Sequence, residues 1–170
     1  LKTEKAKPLV LFAHGKESGP WGRKMKHLAQ IAEQFGANVL SPDYSALQNP
    51  DARVQHLLSL PLAPHSKLIL VGSSMGGYVS TVASETLKPA GLFLMAPAFY
   101  LEGYSNQAPI SHAKHTMIVT GWQDEVIPAE FSIRFAQQYR AELHLLDGDH
   151  RLKSVLPRVG ELFAAFLAQV

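Results

Sequence analysis

The stretch Lys67-Leu68-Ile69-Leu70-Val71-Gly72-Ser73-Ser74-Met75-Gly76-Gly77 decides the fold. An unbroken apolar run ends in Gly-x-Ser-x-Gly, with Ser74 at its centre and Gly72 and Gly76 two positions to either side. Apolar runs without alternation belong to strands covered on both faces, as in parallel sheets. The glycines leave room for the backbone to fold back tightly, so that a strand over Lys67–Gly72 turns sharply into a helix and presents the Ser74 hydroxyl outward.

Outward from this turn, short apolar runs alternate with helical patterns, the mark of a parallel sheet crossed by helices. Further strands are expected at Leu9–Ala13, Asn38–Ser41, Gly91–Met95, Thr116–Thr120 and Glu142–Leu146. Trp21, Met25, Leu28, Ala32 and Phe35 recur at helical spacing before Gly36, as do Phe131, Phe135 and Tyr139 after Pro128, a residue suited to a helix's first turn. The final helix carries Val155, Leu156, Val159, Leu162, Phe163 and Phe166, a face that must dock on the sheet. The fold class is therefore α/β, a three-layer sandwich around a mainly parallel sheet of about six strands.

Composition sets the remaining bounds. A chain of 170 residues that is 46% hydrophobic and 18% charged, with no repeat, reads as one domain spanning 1–170. A net charge of +2 with scattered basic residues lacks the stripe a nucleic-acid binder needs, so no nucleic-acid partner is expected. Without cysteine there are no disulfides, cysteine nucleophiles or thiolate metal sites. After the lysine-rich Leu1–Lys7, the run Leu9–Ala13 is too short for a signal-peptide core or a membrane span, and a cytoplasmic location is the default expectation.

Ligand chemistry converges on Ser74. The turn matches neither Gly-x-x-x-x-Gly-Lys-Ser/Thr nor a first-strand Gly-x-Gly-x-x-Gly, the patterns of phosphate and dinucleotide cradles. A serine hydroxyl is a weak nucleophile that needs a histidine base and a carboxylate to orient that base. Both should lie in loops at the carboxyl ends of strands. Gly121-Trp122-Gln123-Asp124-Glu125-Val126-Ile127-Pro128 follows the fifth strand, and Asp147-Gly148-Asp149-His150 follows the sixth. Asp124, Glu125, Asp147 and Asp149 all compete for the acid. His27, His56, His65, His112 and His115 lie away from that mouth, His144 sits inside a strand, and His14 is placed to shape backbone. A metal site from His144, Asp147, Asp149 and His150 fits no strong ligand spacing, and none is expected.

With Leu11-Phe12-Ala13-His14-Gly15, Gly72 to Gly77, Gly121 to Pro128 and Gly148-Asp149-His150 in this order, the chain resembles the α/β-hydrolase superfamily from Leu9 to its C-terminus. The resemblance implies strand order 2-1-3-4-5-6, Ser74 as nucleophile, Asp124 as acid, His150 as base, and oxyanion-hole N–H groups at Lys16 and Met75. It also implies carboxylic-ester hydrolysis through an acyl-enzyme, without a cofactor, on a small ester or thioester partner. An acyl thioesterase with the same triad and a catalytically silent hydrolase-like binding module are the alternatives. The chain is stripped down relative to the family: the family's first two strands are missing. About twenty residues join the fourth strand to the fifth, too few for a cap domain. Phe99, Tyr100 and Tyr104 in that connection either wall an acyl pocket or cover the sheet end.

Overall fold

The computed structural model describes residues 4–170; Leu1–Thr3, at the head of the lysine-rich stretch, lie outside the described residues. Its centre is a six-stranded, all-parallel sheet in the order β2-β1-β3-β4-β5-β6. The strands are β1 (Leu9–Ala13), β2 (Asn38–Leu40), β3 (Leu68–Ser73), β4 (Gly91–Met95), β5 (His115–Gly121) and β6 (Glu142–Leu146). The helices are α1 (Arg23–Gln34), α2 (Pro50–Ser59), α3 (Met75–Leu87), α4 (Ala129–Tyr139) and α5 (Leu156–Gln169), with a short 3-10 turn at Lys153–Val155. The strand order agrees with the one the resemblance implies.

Alternation along each strand divides the core into two layers. Leu9, Leu11 and Ala13 of β1 join Leu68, Leu70, Leu92 and Leu94 on the face covered by α2, α3 and α4. Val10 and Phe12 join Ile69, Val71, Phe93 and Met95 on the opposite face, under α1 and α5. The last helix docks as its pattern requires: the Phe93 ring lies 5.0 Å from that of Phe163 and 5.5 Å from that of Phe166. Burying an apolar side chain of this size contributes on the order of 1.5–3 kcal/mol.

Several boundaries differ from the sequence reading. The helical stripe from Trp21 to Phe35 is cut short, because Gly22 caps α1 and Gly36, at φ 81°, turns the chain after it. Trp21 and Phe35 therefore stand exposed beyond its ends, while Met25, Leu28 and Ala32 are buried. Pro128 occupies the N-cap of α4 rather than its first turn, with extended ψ of 133°. Val155 closes the 3-10 turn just ahead of α5. Helix α2 is not anticipated; Asn49 caps it by accepting from the N–H groups of Asp51 and Ala52, and Pro50 opens its first turn. No helix among the described residues is long and apolar enough to cross a membrane.

Candidate active site

Ser74 stands at the carboxyl end of β3, a central strand, as the N-cap of α3. Its φ of 54° with ψ of −118° is a conformation non-glycine residues rarely hold, and its surroundings over-determine it. Ser74 N–H donates to Met95 O at 2.9 Å, while Ser74 O accepts from Gly77 N–H and Ala98 N–H, both at 2.9 Å. The flanking glycines are required by space. A Cβ on Gly76 would strike the Ala13 carbonyl oxygen, and one on Gly72 would lie 2.7 Å from the Gly77 Cα.

The structure brings Ser74, His150 and Asp124 into one line. His150 Nε2 lies 3.1 Å from Ser74 Oγ, and His150 Nδ1 lies 2.8 Å from Asp124 Oδ2. The other carboxylate oxygen, Oδ1, accepts from Val126 N–H at 2.9 Å and Ile127 N–H at 2.8 Å. Against the wholly buried Asp124 carboxylate, Nδ1 carries the proton it donates to Oδ2, and in the neutral ring this leaves Nε2 as an acceptor facing the serine. Burial disfavours the charge on Asp124, but the bonds from His150, Ile127 and Val126 outweigh it and hold the carboxyl below its ordinary value.

The rival carboxylates are engaged elsewhere or turned outward. Glu125 is exposed; Asp147 accepts from Gln123 Nε2 at 2.8 Å; Asp149 accepts from the N–H groups of Arg151 and Leu152, both at 3.1 Å. His144 pairs with Glu142 at 2.7 Å on the outer edge of the sheet. Among the described residues, no three histidines or carboxylates gather in a way that could hold a metal ion.

The two loops carrying Asp124 and His150 are laced together. Trp122 N–H donates to Leu146 O at 2.9 Å and Gln123 N–H to Gly148 O at 3.0 Å. They approach so closely that a Cβ on Gly121 would meet the Gly148 carbonyl carbon at 2.6 Å.

The turn after β1 also runs past the serine: a Cβ on Gly15 would touch the Ser74 Cβ at 3.5 Å. Neither the Lys16 N–H nor the Met75 N–H donates to any group of the described residues. Met75 opens α3, so its N–H also carries the positive end of the helix dipole. His14 is wholly buried and shapes this turn: Nε2 accepts from Tyr44 N–H at 2.9 Å, so Nδ1 holds the proton it donates to Gly15 O at 2.8 Å. Burial, reinforced by the Arg53 charge, keeps the ring's pKa down despite the Gly15 bond and Asp43.

Phe99, Tyr100 and Tyr104 belong largely to packing. Phe99 is wholly buried and stacks on Phe135 at 4.4 Å, Tyr104 meets Tyr78 edge-on at 4.8 Å, and the Arg134 guanidinium lies 3.9 Å over the Tyr100 ring. A cavity of about 470 Å³ between α1 and the start of α5, lined by Arg23, Lys26, His27 and Lys153 among others, contains none of the residues named for the site. Sequence reasoning passed over Arg53, which reaches the His14–Gly15 turn from α2. It belongs to no motif, and only the three-dimensional crossing of α2 reveals it.

Comparison with known proteins identifies the fold that carries these residues. The model of an uncharacterised protein family, UPF0227, matches residues 9–109. A protein of Xanthomonas campestris pv. campestris, ascribed to the alpha/beta superfamily of hydrolases, superposes with a TM-score of 0.88 at 32% identity, over 96% of this chain and 99% of its own. Est1E of Butyrivibrio proteoclasticus follows the same fold at 19% identity and a TM-score of 0.73, over 98% and 89% of the two chains. So does a lidless α/β serine hydrolase of Xanthomonas campestris, at 17% identity and 0.66, over 97% and 83%. No curated protein sequence matches the chain. With more than half of its residues matched by the family model and a superfamily hydrolase aligned along nearly all of it, the chain belongs to the uncharacterised family UPF0227, within the α/β-hydrolase superfamily.

Proposed function

We propose that the protein is a serine hydrolase that cleaves carboxylic esters of small or accessible acyl groups through an acyl-enzyme on Ser74. The observation that carries this reading is the continuous relay from Ser74 Oγ through His150 to the buried Asp124, starting from a serine held at positive φ. His150 Nε2 takes the hydroxyl proton as Ser74 Oγ attacks the ester carbonyl. The carbonyl oxygen becomes the oxyanion and is received by the free Lys16 and Met75 N–H groups. Collapse of the tetrahedral intermediate breaks the ester C–O bond, and the departing alkoxide takes the proton from Nε2. Water then attacks the acyl-enzyme, giving its proton to Nε2, and Ser74 leaves as the reprotonated hydroxyl with release of the acid.

The short β4–β5 connection supports access to the mouth, since the 19 residues from Ala96 to Lys114 hold neither helix nor strand. A fluorophosphonate probe tests the reading: one adduct, mapped to Ser74, is expected. Labelling at Ser73 refutes the elbow assignment, and a folded protein that takes no label refutes the enzyme reading in favour of a silent binding module. Matched ester and thioester substrates in the same assay measure which acyl bond is preferred.

A further inference from the structure

Arg53 is wholly buried on α2, yet no carboxylate among the described residues lies within ion-pair distance of it. A guanidinium cannot shed its proton, and burying one without a counter-charge is expensive. Its guanidinium lies 5.7 Å from the centre of the Tyr44 ring, and its hydrogen-bond partners are carbonyl groups: Nε donates to Leu47 O at 2.8 Å, and Nη1 donates to His14 O at 2.9 Å and Gly15 O at 3.2 Å. Nη2 is buried with no partner at all.

The Gly15 carbonyl is one end of the Gly15–Lys16 peptide unit, whose other end is the Lys16 N–H. In a trans peptide the two groups point in opposite directions, so donors that fix the oxygen also fix where the N–H points. Gly15 O collects Arg53 Nη1, His14 Nδ1 at 2.8 Å and Ser18 Oγ at 3.4 Å. Hydrogen bonds in series polarise one another, and a cation at the carbonyl makes the amide proton a better donor. The counter-charge that Arg53 lacks at rest is then the one that arrives at the Lys16 N–H when the carbonyl is attacked.

We propose that Arg53 is a positioning residue for acyl transfer, clamping and polarising the Gly15–Lys16 peptide so that the Lys16 N–H is a pre-aimed oxyanion donor. The proposal rests on the serine-hydrolase reading of Ser74. A role confined to tying α2 to the turn would change stability, or substrate binding, without a selective loss in turnover.

The test compares Arg53→Gln, which is neutral but keeps a donor, with Arg53→Lys, which keeps the charge but loses the fork. Both are assayed on a short aryl ester alongside thermal midpoint and the rate of fluorophosphonate labelling. Removing an oxyanion donor outright lowers turnover by about a hundredfold to a thousandfold, so weakening one is expected to lower kcat of Arg53→Gln by roughly tenfold to a hundredfold with KM little changed. Labelling should slow in parallel, and Arg53→Lys should recover part of the loss, leaving kcat roughly twofold to tenfold below wild type. Wild-type kcat in folded Arg53→Gln, or a raised KM at unchanged kcat, overturns the proposal. Should Arg53→Gln fail to fold, Arg53→Lys decides: a kcat roughly twofold to tenfold below wild type at unchanged KM supports the role, and wild-type kcat overturns it. A wild type that does not label at Ser74 overturns the hydrolase reading and this proposal together. Normal wild-type labelling with unaffected variants overturns this proposal alone.

Discussion

Replacing Asp124 by Asn changes a single atom, and the surroundings dictate how the new side chain must sit. The present Oδ1 accepts two backbone N–H groups, from Val126 and Ile127, whereas Oδ2 meets only His150 Nδ1. The amide oxygen therefore stays with the two N–H donors, because a flip would set the NH₂ group against both of them. The NH₂ then faces His150 Nδ1 and turns it into an acceptor. That moves the ring proton to Nε2, the atom 3.1 Å from Ser74 Oγ, where it blocks proton transfer from the serine. The imidazolium formed during attack also loses its counter-charge. At about 4 Å and an effective dielectric constant near 20, that attraction is on the order of 4 kcal/mol. The charge alone accounts for about a thousandfold in rate, and the wrong tautomer raises the loss toward roughly ten thousandfold. The assay is steady-state ester hydrolysis by Asp124→Asn beside its thermal melting curve, with the midpoint expected close to wild type because the backbone bonds survive. Turnover within about tenfold of wild type would refute the derived orientation and Asp124 as the acid.

Ser74→Ala and His150→Ala should each nearly abolish hydrolysis, and the double variant should be little worse than either, since both groups handle one proton; fully multiplying losses would contradict the relay. Gly76→Ala drives a methyl group into the Ala13 carbonyl and should destabilise by roughly 1–3 kcal/mol or more, seen as a drop of several degrees in thermal midpoint; an unchanged midpoint would deny the tight approach of β1 to the elbow. Asp124 titrates lower in the fold than its unfolded value of about 3.9, so its contribution to stability is complete above that pH and lost as pH falls through the folded value. Below about pH 4 the wild-type midpoint should therefore fall more steeply than that of Asp124→Asn; parallel curves would show that the carboxylate is not held by these bonds.

The sheet was readable because five of its six strands are runs of Val, Ile, Leu and Phe whose type does not depend on distant partners. β1, β4 and β6 begin and end where the apolar runs do, and β3 and β5 shift by one residue at the ends, where only ladder pairing decides. Trp21 and Phe35 misled because helical spacing runs through the capping positions, Trp21 lying ahead of the N-cap Gly22 and Phe35 being the C-cap itself, and spacing does not register a cap. Helix α2 escaped notice because its buried side includes a cation, which hydrophobic periodicity counts as outward-facing. At the site, Ser74 was legible from its glycine-flanked turn and the resemblance implied Asp124 and His150, whereas which of the four carboxylates turns inward is written in no local pattern. Two N–H groups of the Asp124 loop decide it. The dual nature of Phe99 was left open by sequence, and its stacking on Phe135 shows how fully it serves the core.

The near-contact of Gly121 with Gly148 and Asp149 couples the loops at the two ends of the segment from Gly121 to His150, which should therefore exchange between relatives as one cassette. Its two ends are cut to each other's shape, so importing one loop from a relative brings foreign side chains against backbone that has no room to retreat. Transplanting both loops with α4 and β6 between them keeps that fit intact. Recombination among family members should accordingly tolerate crossovers in the β4–β5 connection far better than crossovers between Asp124 and His150. In such chimeras, the spacing to Ser74 becomes the main dimension left to adjust.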